Sequence, residues 1–288
     1  MPDWSMWMLE YARCDVQPVP RVLYGTGYGK QVYFPFSYTL LEGEGHLALV
    51  DVGFDATTQF VAGTLHENSI TDSAAPRSVL GKIGVTPEEI DTVLITHAHY
   101  DHMGALSWFP NAQVVIQARE IEQWEVALKL PEKFMTLAES VDPADILYVR
   151  QLQRDGRLTL VDGVAVDVLP GIDARPAFGT HTEGSQYIVV RNPRDTWVIT
   201  GDNAYSYDNV EITEGNPAYR GIGYGTGSLW NSLFVIDEMV QIAGSPMRLA
   251  IGHEGRTYER HPAVRGGDRL AVAELRIAEG GKSRLVKT

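Results

Sequence analysis

The chain of 288 residues is 44% hydrophobic and 21% charged, a balance that is typical of globular proteins and excludes wholesale disorder. Its net charge of −13 and pI near 5.0 argue against nucleic acid and anionic membrane surfaces as partners, because both are bound through basic patches. The single cysteine, Cys14, excludes an intramolecular disulfide and a cysteine-based zinc cluster.

The first half of the chain begins with two predicted strands, at residues 31–41 and 46–52, separated by a glycine-containing loop. A helix near residues 56–66 and a helical segment within 76–90 follow. Residues 91–96 read Asp-Thr-Val-Leu-Ile-Thr, a short and β-branched run that predicts a buried strand.

The second half repeats this mixture of strands and helices. Its predicted elements, in chain order, are a strand at 112–116, helices within 118–155, strands at 158–161, 164–169, 186–190 and 196–200, a long loop at 205–229, a helix at 230–243 and a strand at 247–251. The dipeptide Asp162–Gly163 predicts a β-hairpin between the second and third of these strands. The sequence contains no linker or break in composition, and it predicts one α/β domain over residues 1–288, with two packed sheets and helices outside them.

A cluster of histidines follows the strand predicted at 91–96. Three of the eight histidines, His97, His99 and His102, lie within six residues, with Asp101 among them. Residues two apart on an extended chain face the same side, so His97 and His99 can converge on one ion. The turn that follows directs Asp101 and His102 toward a second position. Imidazole and carboxylate groups are ligands for zinc, iron and manganese, so the cluster predicts a metal site.

The segment from His97 to His102 resembles the His-x-His-x-Asp-His signature of the metallo-β-lactamase superfamily. Within that superfamily the chain is similar to N-acyl-homoserine-lactone lactonases and pyridoxolactone lactonases, over about residues 32–254. The lead-in at residues 83–91 is typical of this lactonase-like branch. The resemblance implies an αββα sandwich of two mixed β-sheets with helices on the outer faces. It also implies a hydrolase with two divalent metal ions, for which Zn²⁺ is expected and Mn²⁺ or Fe²⁺ are alternatives.

The resemblance assigns a role to seven ligands distributed along the chain. It implies that His97, His99 and His181 hold one ion, that Asp101, His102 and His253 hold the other, and that Asp202 bridges the two. Asp51 matches an aspartate that supports the metal loop by hydrogen bonding. The chain departs from the family pattern before His181, where Phe178, Gly179 and Thr180 replace the usual Pro-Gly.

Two residues are expected to act on the substrate. Tyr205 lies three residues after Asp202, the offset at which the lactonases carry a tyrosine whose hydroxyl hydrogen-bonds the substrate carbonyl. Asp101 is expected to pass a proton to the leaving group. Among the aromatic residues, Trp4, Trp7, Phe34 and Phe36 are predicted to pack in the core, while Trp108 is the better candidate for the pocket wall.

The leading functional hypothesis is a hydrolase that opens a lactone, a cyclic ester, by attack of a metal-bridging hydroxide. Hydrolysis of an amide, cyclic amide or aryl ester at the same two ions is the alternative. A non-enzymatic metal-binding scaffold is disfavoured because no expected ligand is missing. The expected partner is a small-molecule substrate, without nucleic acid or membrane, and a homodimer is left open. The N-terminus lacks a signal peptide and no window reaches the ~20 apolar residues of a membrane span, which predicts the cytoplasm.

Overall fold

A computed structural model of the protein describes residues 1–285. The strands in this range are β1 Ser5–Pro18, β2 Gln31–Gly43, β3 His46–Val50, β4 Thr92–Leu94, β5 Gln113–Gln117, β6 Leu158–Val161, β7 Ala165–Leu169, β8 Ile172–Pro176, β9 Gln186–Arg191, β10 Thr196–Ile199, β11 Leu249–Ala250, β12 Ala263–Arg265 and β13 Ala271–Arg276. The α-helices are α1 Val19–Val22, α2 Gln59–Glu67, α3 Pro76–Gly81, α4 Tyr100–Met103, α5 Ala118–Ala127, α6 Pro143–Arg154, α7 Tyr207–Val210, α8 Leu229–Ala243 and α9 Thr257–Arg260. Short 3₁₀ turns occupy Pro87–Glu89, Leu106–Trp108, Glu132–Ala138, Gly201–Asn203 and Pro246–Arg248.

The strands form two mixed sheets. The larger sheet has the order β12-β13-β1-β2-β3-β4-β5-β6, in which β3 to β6 run parallel and the remaining neighbours are antiparallel. The smaller sheet has the order β11-β10-β9-β8-β7, with a parallel pair only between β10 and β11 among the described strands. Two mixed sheets with helices confirm the fold class predicted from the sequence.

Three apolar layers hold the sandwich together. The middle layer lies between the sheets and includes Met6 and Met8 of β1, which pack toward residues of the smaller sheet such as Ile188. Trp7 and Leu9 alternate with these methionines and belong to the layer between the larger sheet and its helices. A third layer packs helix α8 on the outer face of the smaller sheet. The long strand β1 was not predicted because both of its faces are buried, which removes the polar alternation of a half-exposed strand.

The hairpin predicted around Asp162–Gly163 is wrong. Strand β6 pairs in parallel with β5 in the larger sheet, whereas β7 pairs with β8 in the smaller one. Gly163 adopts the expected left-handed backbone, but its N–H donates to Gln117 Oε1 at 2.9 Å and its carbonyl accepts from Gln117 Nε2 at 2.8 Å. Because Gln117 holds the turn, the chain crosses from one sheet to the other instead of folding back on itself.

The fold brings the carboxyl ends of four strands to one edge of the sandwich. Asp51 follows β3, the histidine cluster follows β4, Asp202 follows β10 and His253 follows β11. His181 lies in the loop that leads into β9. Loops at the carboxyl ends of strands are where α/β proteins place their sites. No helix within residues 1–285 combines the length and apolarity needed to cross a bilayer.

Candidate metal centre

Asp51 fastens the histidine loop to the end of β3. Its Oδ1 accepts from the Thr96 N–H at 2.8 Å and its Oδ2 from the Thr96 hydroxyl at 2.9 Å. The same Oδ2 lies 2.8 Å from His102 Nδ1. Asp51 has a φ of 62°, in the left-handed region, where a non-glycine residue costs about 1–3 kcal/mol and persists only when its surroundings fix it. The three hydrogen bonds supply that constraint, so Asp51 supports the loop as the sequence predicts.

All seven predicted ligands come together as two adjoining buried groups. The first group consists of His97, His99, His181 and Asp202, and the second consists of Asp101, His102 and His253. Within each group the potential ligand atoms lie within 4.8 Å of one another. The short helix α4 carries Asp101 and His102, and it places the His102 ring against the His97 ring, with 4.0 Å between centroids, so the two groups adjoin.

The carboxylate of Asp202 lies between the groups and presents one oxygen to each. Its Oδ2 is 3.3 Å from His181 Nε2 and 3.7 Å from His97 Nε2. Its Oδ1 is 3.1 Å from both His102 Nε2 and His253 Nε2. A carboxylate in this position can offer one oxygen to each of two cations, the arrangement that the family resemblance implies for a bridging ligand.

Backbone carbonyls fix the orientation of two of the imidazoles. His253 Nδ1 lies 2.8 Å from the Pro35 carbonyl, and His181 Nδ1 lies 3.0 Å from the Tyr224 carbonyl. A carbonyl oxygen only accepts, so in each ring Nδ1 carries the proton and Nε2 presents a lone pair to the centre.

Several buried atoms at the centre have no hydrogen-bond partner within residues 1–285. They are His97 Nε2, His102 Nε2, His253 Nε2 and Asp202 Oδ1, since the 3.1 Å contacts of Oδ1 with the two imidazole nitrogens are not aligned as hydrogen bonds. Each buried polar atom left unpaired costs about 1–3 kcal/mol. All four are nitrogen or oxygen atoms of the kind that bind divalent zinc, iron or manganese ions as ligands. The residues present therefore fit a pair of such ions.

Burial and charge divide the imidazoles into two protonation classes. Burial lowers the pKa of His97 and His99 well below the ordinary value, and neighbouring imidazoles lower it further. Burial also lowers the pKa of His181, to about 4. These three rings are neutral at neutral pH and ready to bind a cation.

His102 behaves in the opposite way. Burial acts to lower its pKa, but the carboxylates of Asp202, Asp101 and Asp51 outweigh burial and raise the pKa well above the ordinary value. Burial likewise acts to raise the pKa of Asp202, but the surrounding histidines, with His102 first among them, hold that pKa well below its usual range. Without metal, the His102 ring of the second group is therefore protonated at neutral pH.

Metal binding is expected to displace that proton. A histidine binds metal only as the neutral ring, so loading the second group at pH 7.5 should release about one proton per chain, and the apparent affinity should rise with pH. Calorimetric titration of the metal-free protein in two buffers with different heats of ionisation measures the release. Heats that do not differ between the buffers would show that His102 is already neutral.

A pocket of about 360 Å³ opens onto both groups, and Asp101, Asp202, His253 and Tyr205 are among the residues that line it. The Tyr205 hydroxyl lies 3.2 Å from His181 Nδ1 and 3.3 Å from the Tyr224 carbonyl. Burial and the charges of Asp202 and Asp101 raise the pKa of Tyr205 well above the ordinary value. Its hydroxyl therefore remains protonated and able to donate.

The aromatic wall of the pocket differs from the prediction. Phe34 and Phe36 line the pocket as well as packing in the core, and Phe34 stacks on the His253 ring with 4.2 Å between centroids. Trp108 is absent from the pocket lining among the described residues, and its Nε1 donates to Asp55 Oδ2 at 3.2 Å. The prediction for Trp108 is wrong because the turn after α4 directs it away from the ligand loop.

Two buried glutamates near the centre were missed in the sequence. Glu254 follows His253, and its Oε2 accepts from the Tyr207 N–H at 2.6 Å and the Ser206 hydroxyl at 3.0 Å, which holds the loop after Asp202. Glu120 lies on the buried face of α5. Its spacing from the apolar residues Trp124 and Ala127 was the available signal, because a charged residue on an apolar helix face calls for explanation.

The fold and the paired His/Asp groups define a metal-dependent hydrolase as the class of protein. The sequence profile of the Metallo-beta-lactamase superfamily matches residues 34–241, which is more than half of the chain. The chain belongs to the metallo-β-lactamase superfamily, as the resemblance in its sequence predicts.

Several relatives of the chain are named N-acyl homoserine lactonases. The N-acyl homoserine lactonase of Bacillus cereus is 26% identical over 192 residues, covering 64% of this chain and 69% of that protein. The N-acyl homoserine lactonase AttM of Azorhizobium caulinodans is 25% identical over 228 residues, covering 73% and 80%.

Solved structures of the same fold cover most of the chain. The hydrolase AbOPH of the β-lactamase superfamily aligns with a TM-score of 0.65 at 18% identity, over 94% of both chains. AidC, a dizinc quorum-quenching lactonase in complex with a product, aligns with a TM-score of 0.63 at 15% identity, over 93% of this chain and 92% of that one.

Proposed function

We propose that the protein hydrolyses the ester bond of a lactone at a centre of two divalent metal ions. The observation that carries the proposal is the Tyr205 hydroxyl, which lies in the pocket beside two metal-binding groups that share Asp202. The lactonase relatives support the choice of a cyclic ester over other acyl bonds.

The ligands of each ion follow from the two groups. His97, His99 and His181 hold the first ion, Asp101, His102 and His253 hold the second, and Asp202 contributes one oxygen to each. Zn²⁺ is the ion we expect from the imidazole and carboxylate donors, with Mn²⁺ and Fe²⁺ as alternatives. When bound, two such ions supply a water-derived nucleophile at neutral pH and an electrophile for the substrate carbonyl.

Two protein side chains act on the negative charges that develop on the substrate, one at the carbonyl oxygen and one at the leaving alkoxide. The Tyr205 hydroxyl donates a hydrogen bond to the lactone carbonyl oxygen, which gains negative charge as the bond to the incoming oxygen forms. Burial raises the pKa of the Asp101 carboxyl. Asp101 lines the pocket, and it would carry the proton of the attacking water to the alkoxide that leaves when the ring opens.

Replacing Tyr205 with phenylalanine is expected to lower kcat by about 100-fold, with a smaller change in KM, because one donor to the developing oxyanion is lost. Steady-state rates with a lactone substrate measure the effect. Tyr28→Phe is the matched control, because Tyr28 is exposed and lies outside the pocket lining. Equal rates for Tyr205→Phe and Tyr28→Phe would reduce Tyr205 to a packing residue.

The bond that is hydrolysed is tested with a panel of matched substrates. It pairs N-acyl-homoserine lactones and aromatic lactones with the corresponding lactams and with aryl esters. The proposal expects ring opening of lactones that depends on metal and on Tyr205. Turnover of the lactams or aryl esters without turnover of any lactone would replace it with the alternative of amide or aryl ester hydrolysis.

A further inference from the structure

Glu120 connects the two loops that carry the first group. Its Oε1 accepts from the Ala98 N–H at 2.8 Å, and Ala98 is the residue between His97 and His99. Its Oε2 accepts from the Thr182 hydroxyl at 2.7 Å and from the Gly184 N–H at 3.0 Å, directly after His181.

Each oxygen of the Glu120 carboxylate accepts two hydrogen bonds, and three of these four bonds come from the two loops. Trp124 Nε1, one turn further along α5, donates the fourth hydrogen bond to Oε1 at 2.8 Å. Glu120 is completely buried, and no lysine, arginine or histidine within residues 1–285 forms an ion pair with it. A buried carboxylate without a cation is costly unless several donors satisfy it, so a residue that only fills space here would be apolar.

The loop after His181 approaches the helix too closely for a side chain. A Cβ added at Gly184 would lie 2.1 Å from the Glu120 backbone nitrogen. The missing side chain therefore lets the loop reach the start of α5, where Thr182 and Gly184 donate to Oε2 of Glu120.

Nothing in the first group itself sets the separation of its two loops. His99 Nδ1 and His181 Nε2 are only 2.9 Å apart, and neither has a covalent or β-sheet connection to the other. Two nitrogen lone pairs at that separation repel each other unless a proton or a cation lies between them. Hydrogen bonds from outside the group hold the two segments together. Gln186 donates to the Thr96 and Ile95 carbonyls at 2.8 Å and 2.7 Å. Glu120 joins the loops nearer in sequence to His99 and His181.

We propose that Glu120 is a positioning residue that clamps the loop of His97 and His99 to the loop of His181 and thereby sets the affinity of the first ion. The proposal concerns metal binding and holds for whichever bond the enzyme hydrolyses. Its failure would leave the proposed lactonase activity untouched, because the test needs no substrate.

Replacing Glu120 with glutamine tests the clamp with almost no change in volume. The amide offers one acceptor where the carboxylate offers two, so its NH₂ group must face either the Ala98 N–H or the Gly184 N–H. One of the two loops then loses its backbone hydrogen bond to the side chain of residue 120. Titration of the metal-free protein with Co²⁺, followed by visible absorption and by competition with a chromophoric chelator, should show one of two binding steps weakened by about 10–100-fold.

Glu122→Gln is the matched control, because Glu122 lies on the exposed face of the same helix. It should bind Co²⁺ as the unchanged protein does. Urea unfolding of the metal-free proteins separates positioning from general stability. If Glu120→Gln lowers the free energy of unfolding but binds Co²⁺ with unchanged affinity, the residue is merely structural and the proposal is overturned.

Thr182→Val keeps the proposal testable if Glu120→Gln does not fold. This change removes a single hydrogen bond from Glu120 and preserves the shape of the side chain. It should weaken the same Co²⁺ binding step by several-fold. Affinity equal to that of Glu122→Gln at both steps would contradict the clamp.

Discussion

Asp202→Ala is expected to lower kcat/KM by at least about 1,000-fold, because the change removes the carboxylate that we propose to serve both ions. No other described side chain presents one oxygen to each group, at 3.3 Å from His181 Nε2 and 3.1 Å from His253 Nε2. Metal content and activity should therefore fall together, which analysis of both in the same preparation measures.

Two companion variants make this result specific. Asp162→Ala removes an exposed carboxylate from a turn and should keep full metal content and activity. Asp202→Asn preserves the shape of the side chain but supplies only one acceptor oxygen, so it should also lose metal. An Asp202→Ala protein that retains two ions and normal turnover would show that the carboxylate does not bridge.

Removal of metal is expected to abolish hydrolysis, with a loss of at least about 1,000-fold that is reversed by adding Zn²⁺, Mn²⁺ or Fe²⁺. The reason is that the groups around Asp202 are imidazoles and a carboxylate suited to hold cations, whereas Cys14 and Ser140, which line the same pocket, belong to neither group. Dialysis against a chelator, followed by elemental analysis and rate measurement, tests this expectation.

Measurements on the metal-free protein show whether activity is lost through loss of metal or through unfolding. Binding to the folded state alone stabilises a protein by about 2.7 kcal/mol when the free ion is at 100 times Kd. The midpoint of thermal unfolding should therefore fall on chelation and recover with metal, while the circular dichroism at room temperature stays the same. Full turnover in a sample verified to contain no metal would refute a metal-dependent mechanism.

The candidate metal site could be predicted from the sequence because four of its seven expected ligands lie close together in the chain. His97, His99, Asp101 and His102 lie within six residues after a buried strand, and the remaining ligands follow strand ends in the order that the family resemblance implies. The structure brings all of these side chains into two adjoining groups.

The parts that the sequence did not predict depend on contacts between distant residues. The residues at Gly163 are typical of a hairpin turn. Gln117, which lies 46 residues away, forms two hydrogen bonds to Gly163 where the chain crosses from one sheet to the other. Glu120 has no motif, and its partners outside α5 lie 22 to 64 residues further along or back in the chain. The assignment of residues 1–288 to one domain, the cytoplasmic location and the homodimer stay predictions.

Anomalous diffraction from a crystal of the Zn²⁺-loaded protein, measured at the zinc absorption edge, tests the central claim most directly. The account predicts two peaks, one beside His97, His99 and His181 and one beside His102 and His253, with the Asp202 carboxylate between them. A single peak, or peaks outside the two groups, would contradict it.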